Sequence, residues 1–285
     1  MITVDTEDDN GVHAAGERRG AVRERYARFA TTRSPCCDPS PGGTGGAVDA
    51  AEVSRALGYS DEELAHLPDD ANLGLGCGNP TAIADLRPGE TVLDLGSGAG
   101  IDCFLAARQV GEDGRVIGVD MTPEMVERAR VNAARVGCLN VEFRLGEIEA
   151  LPVADASIDV IISNCVLNLS ARKDRALAEA FRVLRPGGRL IVSDMVSEVP
   201  VPEALADNLD AVAACLPTLR SLYLEEFRNA GFRDVRITAE TPYPPSYLLG
   251  DAGVRAFLAQ HPETQDETER FASCLSGAHF TATKG

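Results

Sequence analysis

The sequence predicts an α/β fold: an open, largely parallel sheet with helices on both faces. Three observations carry that prediction. From Glu90 to about Asp194, short apolar runs alternate with helical patterns, as a parallel sheet with crossover helices requires. Within that stretch Thr91 to Gln109, TVLDLGSGAGIDCFLAARQ, reads as a buried strand, a glycine loop and a helix. The next strand, RVIGVD, ends on an acid, Asp120.

Taken in order, residues 1–14 are polar, acidic and glycine-containing, a composition expected to be disordered. Residues 16–30 place Val22, Tyr26 and Phe29 at helical spacing. The run SPCCDPSPGGTGG is a loop, because its prolines and glycines interrupt regular structure. A helix is expected near 48–57, then YSDEELAHL, where Ser60 and Glu63 form a capping box. Residues 69–80 are a glycine-rich approach carrying Cys77. Strands follow near 91–95, 115–119, 141–145, 158–163 and 188–194, with helices near 101–109, 123–136 and 172–184. Pro123 suits a helix start, after Thr122 as N-cap. Beyond them we expect a helix near 203–214, Cys215, a helix near 221–230 and a strand, DVRITAE. Residues 241–276 read as irregular, and HFTATK as the last edge strand. The resulting organisation is a tail and helical cap (1–80), a core (81–196), and a lid with closing strands (197–285).

The chain has 285 residues and 44% hydrophobic residues, enough for a sizeable core. No apolar run reaches membrane-spanning length and the N-terminus is polar, so a cytoplasmic location and no membrane partner are expected. A net charge of -17 excludes nucleic acid as a partner, since a phosphate backbone calls for a basic surface. The eight cysteines include no C-x-x-C pair, and the four histidines are scattered, so no zinc signature is present. In a cytosolic enzyme several of these thiols are expected to be reduced and available as ligands.

Gly96, Gly98 and Gly100 let the chain turn tightly and let backbone N–H groups approach a ligand. Asp94, just before the loop, would repel phosphate but suits a cation, and Asp120 stands where a carboxylate meets a ribose diol. A nucleoside site with an acid for a positive charge points to S-adenosylmethionine, whose sulfonium is cationic. The region resembles class I methyltransferases. LGEIEALP (145–152) is similar to the family segment beside the adenine, with Glu147 at its acidic position, and FRVLRPGGRLIVSD (181–194) to the helix, Pro-Gly-Gly turn and fifth strand. The resemblance implies a Rossmann-like class I methyltransferase sheet with an N-terminal helical cap and a C-terminal lid. It implies a cofactor held at Asp94, Gly96, Ser97, Gly98, Gly100, Asp120, Met121, Glu147 and Asn164.

Ligands of open α/β sheets bind outside the carboxyl ends of the strands. Cys165, in SNCVLNL, directly follows the fourth strand; Cys77 lies before the first strand and Cys215 after the fifth. Three thiols from separate segments are thereby free to converge. With LGCGNP (75–80), LDLGSGAGIDCF, VDMT (119–122) and SNCVLNLS, the stretch from about Val22 to Phe232 resembles the arsenite methyltransferase family. The resemblance implies trivalent arsenic bound by Cys77, Cys165 and Cys215, with Cys36 or Cys37 serving disulfide exchange. It implies arsenite or its thiol conjugates as substrate, mono- and dimethyl products, and an external thiol reductant of the thioredoxin or glutathione type. Soft thiolates select such a centre, and the arsenic lone pair needs no general base, which agrees with the lack of a convincing one. Pro217 and Thr218 depart from the small residues the family carries after its third cysteine. Cys103 reads as a core residue, Cys138 and Cys274 as incidental, His66 as no ligand, and Asp69 with Asp70 as a solvated face. Two rivals remain: a methyltransferase acting on carbon of a small molecule such as a quinone, which would leave the cysteines dispensable, and a non-catalytic thiol module for arsenic or a soft metal.

Overall fold

The computed structural model describes residues 6–32, 49–213 and 215–285. The chain opens with α1 (Thr6–Thr32), α2 (Ala50–Ala56) and α3 (Asp61–Ala65). The expected disorder of residues 1–14 is corrected from Thr6 onward, where the chain is helical. Ser60 and Glu63 make the expected capping box. The loop containing Cys36 and Cys37 lies outside the described residues.

Then come β1 (Thr91–Leu95), α4 (Ile101–Val110), β2 (Arg115–Asp120), α5 (Pro123–Val136), β3 (Val141–Leu145), β4 (Ile158–Asn164), α6 (Lys173–Val183) and β5 (Leu184–Ser197). Most match the expected elements closely, but β5 starts four residues before its expected position and includes the Pro186-Gly187-Gly188 segment expected to be a turn. Thr122 occupies the N-cap of α5, but its side chain makes no cap bond; its backbone N–H donates to Asp120 Oδ1 instead. The remaining elements are α7 (Glu203–Ala206), α8 (Leu209–Val212), β6 (Thr218–Leu219), α9 (Arg220–Asn229), β7 (Arg233–Pro242), α10 (Pro245–Gly250), α11 (Ala252–Gln260), α12 (Gln265–Ala272) and β8 (Leu275–Thr283).

The sheet order is β3-β2-β1-β4-β5-β8-β7, with β6 pairing β5. β1 to β5 run parallel, and β8 inserts antiparallel between β5 and β7. So HFTATK is not an edge strand. Ala278, Phe280 and Ala282 are buried in the core, a degree of burial that suits a central position. Successive residues alternate faces: Leu93 and Leu95 pack with Ile161, Leu177 and Phe280, whereas Val92 packs with Phe104, Val116 and Ile162.

Two further expectations are corrected. The helix foreseen near 203–214 is split, because Asn208 caps Ala211 N and starts a second helix. Residues 241–276 are not irregular. Their helices are short and broken by Pro and Asp, which hid the period, but they fold around Leu205, Leu216, Leu248, Val254, Phe257 and Phe271. Among the described residues no helix is long and apolar enough to cross a membrane.

Candidate active site

The carboxyl ends of β1, β2 and β4 meet in a cavity whose walls include Asp94, Gly96, Ser97, Gly98, Asp120, Met121, Asn164 and Cys165. Gly96 and Gly98 have φ of 68° and 52°, the left-handed region that favours glycine. Asp120 closes the turn by accepting bonds from Gly98 N (2.9 Å) and Thr122 N (2.8 Å). Gly100 lies outside the cavity lining; a Cβ there would meet Phe104 and Phe143 at 2.8 Å, so its glycine serves packing. Glu147 also lies off the lining, where Gly146, Ile148 and Glu149 stand; its carboxylate pairs with Arg19 (2.8 Å) and Arg23 (3.2 Å) of α1. α1 roofs the cavity with Arg19, Val22 and Tyr26, leaving about 110 Å³. Typical ligand sites span ~300–1,000 Å³, so the cavity as it stands is smaller than a nucleoside-sized ligand needs.

Three carboxyls, Asp94, Asp102 and Asp120, are buried along this wall. Burial, reinforced by the charge of Asp102, pushes Asp94 well above the usual carboxylate range, although the Cys103 thiol donates to it at 3.2 Å. Burial raises Asp120 too, against the two N–H bonds it accepts. Asp102 is lifted from 3.8 to about 6 by burial, partly offset by bonds from Tyr59 and Asn164. Desolvated acids of this kind favour a cationic ligand, which would restore their charged forms. In the folded protein Asp102 binds its proton more tightly than when unfolded. Its contribution to stability is therefore greatest at low pH and declines as pH rises from about 4 to about 6. Asp102→Asn removes that slope. Thermal melts should show the variant gaining on the wild type across that window and holding a constant offset above it.

The second half of the site is a thiol cluster. Cys77 and Cys165 are joined as a disulfide with Cα atoms 5.5 Å apart, and Cys215 Sγ lies 3.1 Å from Cys165 Sγ. This corrects the expectation of free thiols at Cys77 and Cys165: the fold brings their sulfurs within bonding reach. Cys165 and Cys215 both have positive φ, 58° and 65°, a conformation costing ~1–3 kcal/mol that tends to occur at functional sites. Together with Asp194, the three sulfurs place four ligand atoms within 4.8 Å of one another, all on buried residues. Cys165 also lines the glycine-loop cavity, so the two halves share a wall.

Asp194 was not singled out from the sequence. It accepts bonds from Asn168 Nδ2 (2.8 Å), Tyr223 Oη (2.8 Å) and Met195 N (2.8 Å), and Cys215 Sγ lies 3.9 Å away. Burial raises its pKa, against the neighbouring Lys173 charge and these donors. Its position near the carboxyl end of β5 is the same signal that picked out Asp120, and could have found it. Among the other cysteines, Cys103 is fully buried as expected, with a polar contact to Asp94 besides. His66 makes only a local contact, to Glu62 O. Asp70 is not merely solvated, since it pairs with Arg128 and Arg135.

A family model described as a methyltransferase domain matches residues 86–240. The chain is 53% identical to an arsenite methyltransferase of Halobacterium salinarum over 206 residues, covering 70% of this chain and 53% of that protein. It is 43% identical to an arsenite methyltransferase of Aquipseudomonas alcaligenes over 178 residues, 59% of this chain and 50% of that one. It is also similar to the crystal structure of an arsenic(III) S-adenosylmethionine methyltransferase from Chlamydomonas reinhardtii. That match has a TM-score of 0.57 and 31% identity, covering 81% of this chain and 73% of the other. The chain belongs to the arsenite methyltransferase family. It spans about half the length of the curated relatives it matches. Family membership agrees with the Rossmann-like class I sheet described above, with the Chlamydomonas match extending beyond the core sheet.

Proposed function

We propose that the protein methylates trivalent arsenic with S-adenosylmethionine, giving mono- and dimethyl arsenicals. The observation that carries this reading is the convergence of Cys77, Cys165 and Cys215, with Cys165 on the wall of the glycine-loop cavity. When bound, the cofactor supplies an electrophilic methyl on a cationic sulfonium. The buried acids Asp94 and Asp120 suit that cation and its ribose, and α1 excludes water from above. Each thiol displaces one hydroxyl from arsenite as water, so three S–As bonds form and three As–OH bonds break. The arsenic keeps its lone pair, and no proton has to leave the nucleophile. The transfer would leave arsenic formally pentavalent, and two thiols, oxidised to a disulfide, would return the two electrons needed before a second methyl is added. Positioning is then the main source of rate, which can supply up to ~7–11 kcal/mol.

The disulfide between Cys77 and Cys165 is a two-electron-oxidised form of two of these ligands. Arsenite binding at three thiolates therefore needs an external thiol of the thioredoxin or glutathione type, with Cys36 or Cys37 serving the exchange. A reducing cytoplasm meets that need. The reading is tested by arsenite-dependent turnover of S-adenosylmethionine with and without dithiol reductant, together with speciation of the arsenic. Methylated arsenicals formed only with reductant are expected. Cofactor binding without any arsenical product would move the substrate to a carbon acceptor.

A further inference from the structure

Cys77 is carried by a loop without regular structure, between Leu73 and Pro80, whereas Cys165 follows directly on β4. In the disulfide form the S–S bond holds Cys77 against Cys165, but the reduced, arsenic-binding form lacks that bond and needs another hold. The residue placed to supply it is Asn164, the last residue of β4 and the neighbour of Cys165. Its Oδ1 accepts from Cys77 N at 2.9 Å, and its Nδ2 donates to Gly78 O at 2.7 Å. The loop is thus gripped on both sides of the cysteine. The grip depends on Gly76, where a Cβ would lie 2.9 Å from Asn164 Nδ2.

The same amide also contacts Tyr59 Oη (3.0 Å) and Asp102 Oδ2 (3.2 Å), and Tyr59 donates to Asp102 Oδ1 at 2.7 Å. Asp102 and Asn164 both line the glycine-loop cavity, as do Leu73, Leu75 and Gly76 of the Cys77 loop. One hydrogen-bonded group therefore faces the cofactor pocket on one side and holds an arsenic ligand on the other. A ligand that fills the pocket contacts the group that holds the Cys77 loop; were it to tighten that group, less ordering would be left when arsenic binds, which is positive cooperativity. By linkage, arsenic must strengthen cofactor binding by the same factor.

We propose that Asn164 is a positioning residue that holds Cys77 against Cys165 and, through Asp102 and Tyr59, makes arsenite affinity depend on occupancy of the cofactor pocket. This rests on the arsenic reading above. It goes further by giving Asn164 a task at the thiols rather than only at the cofactor.

The test is equilibrium binding of arsenite to the reduced full chain, with and without S-adenosylhomocysteine, and of phenylarsine oxide, which takes two thiolates rather than three. The wild type should bind arsenite about fivefold or more tightly when the pocket is filled. Asn164→Ala should weaken arsenite binding about tenfold, because Cys77 loses its two anchors. Phenylarsine oxide, held by Cys165 and Cys215, should keep its affinity. Tyr59→Phe, which preserves volume and leaves the Cys77 anchors in place, should keep arsenite affinity and bring the coupling close to unity. Equal losses for both arsenicals in Asn164→Ala would mean a general structural role and overturn the proposal. So would unchanged coupling in Tyr59→Phe, which remains informative if the alanine variant fails to fold. A reduced wild type that binds S-adenosylhomocysteine but no arsenite would overturn the arsenic reading itself, and the proposal with it.

Discussion

Cys165→Ser is expected to lower arsenite methylation by on the order of 100-fold or more while leaving cofactor affinity nearly unchanged. In the proposed arsenic site Cys165 is the central ligand: it is bonded to Cys77, lies 3.1 Å from Cys215 and lines the glycine-loop cavity. Serine keeps the shape and tolerates the same backbone, so the cavity persists. Its hydroxyl is a hard, weakly acidic ligand that does not replace a thiolate on a soft centre. The remaining two sulfurs hold arsenic without the third constraint that aims its lone pair. The check is single-turnover methylation paired with calorimetry of S-adenosylhomocysteine. Full methylation by the serine variant would sink the arsenic assignment. Loss of both activity and cofactor binding would show that the substitution damaged the fold rather than the ligand set.

Gly96→Ala is expected to cost about 2–5 kcal/mol of stability and most of the activity. Its φ of 68° penalises any side chain, and an added Cβ would lie 2.4 Å from Val166 Cγ2 and 2.9 Å from Val166 Cβ. Valine is branched at Cβ and has few rotamers to retreat into. Relief must come from the backbone, and Val166 is the residue after Cys165. The clash therefore reaches both the cofactor loop and the arsenic ligand. Against a typical total of ~5–15 kcal/mol, such a loss is severe. Chemical denaturation should show a lower midpoint with unchanged slope. By contrast Gly98, with nothing within 4 Å of its Cβ position, should show only the backbone strain on alanine substitution. A Gly96 variant as stable as the Gly98 variant would refute the contact with Val166 as the cause.

The parallel half of the sheet was legible because its signals are local. Strands β1 to β4 carry apolar residues at strand spacing between turn segments, and each lies within one or two residues of its expected position. The same locality made Asp94, Asp120 and Cys165 legible, whereas Cys77 and Cys215 were singled out through the family resemblance. A residue at the carboxyl end of a parallel strand faces the ligand edge whatever its neighbours are. The antiparallel half was less legible. Placing β8 between β5 and β7 depends on pairings up to nearly a hundred residues apart, such as Arg189 with Thr283. The helices after Thr241 are too short for a period to show, and they exist because they bury Phe257 and Phe271 against Leu205 and Leu248.

By itself the sequence determined the succession of strands up to β5 and the glycine loop with its flanking acids, features set by residue type at fixed local spacing; the choice of three cysteines rested on the family resemblance. Only the tertiary structure decided that Glu147 ties down α1 rather than lining the cavity, that Gly100 serves Phe104 and Phe143, and that Asp194 joins the thiols. It alone decided that Asn164 grips the Cys77 loop. Each of these turns on where a side chain ends after segments far apart in sequence have packed, and no local spacing encodes that.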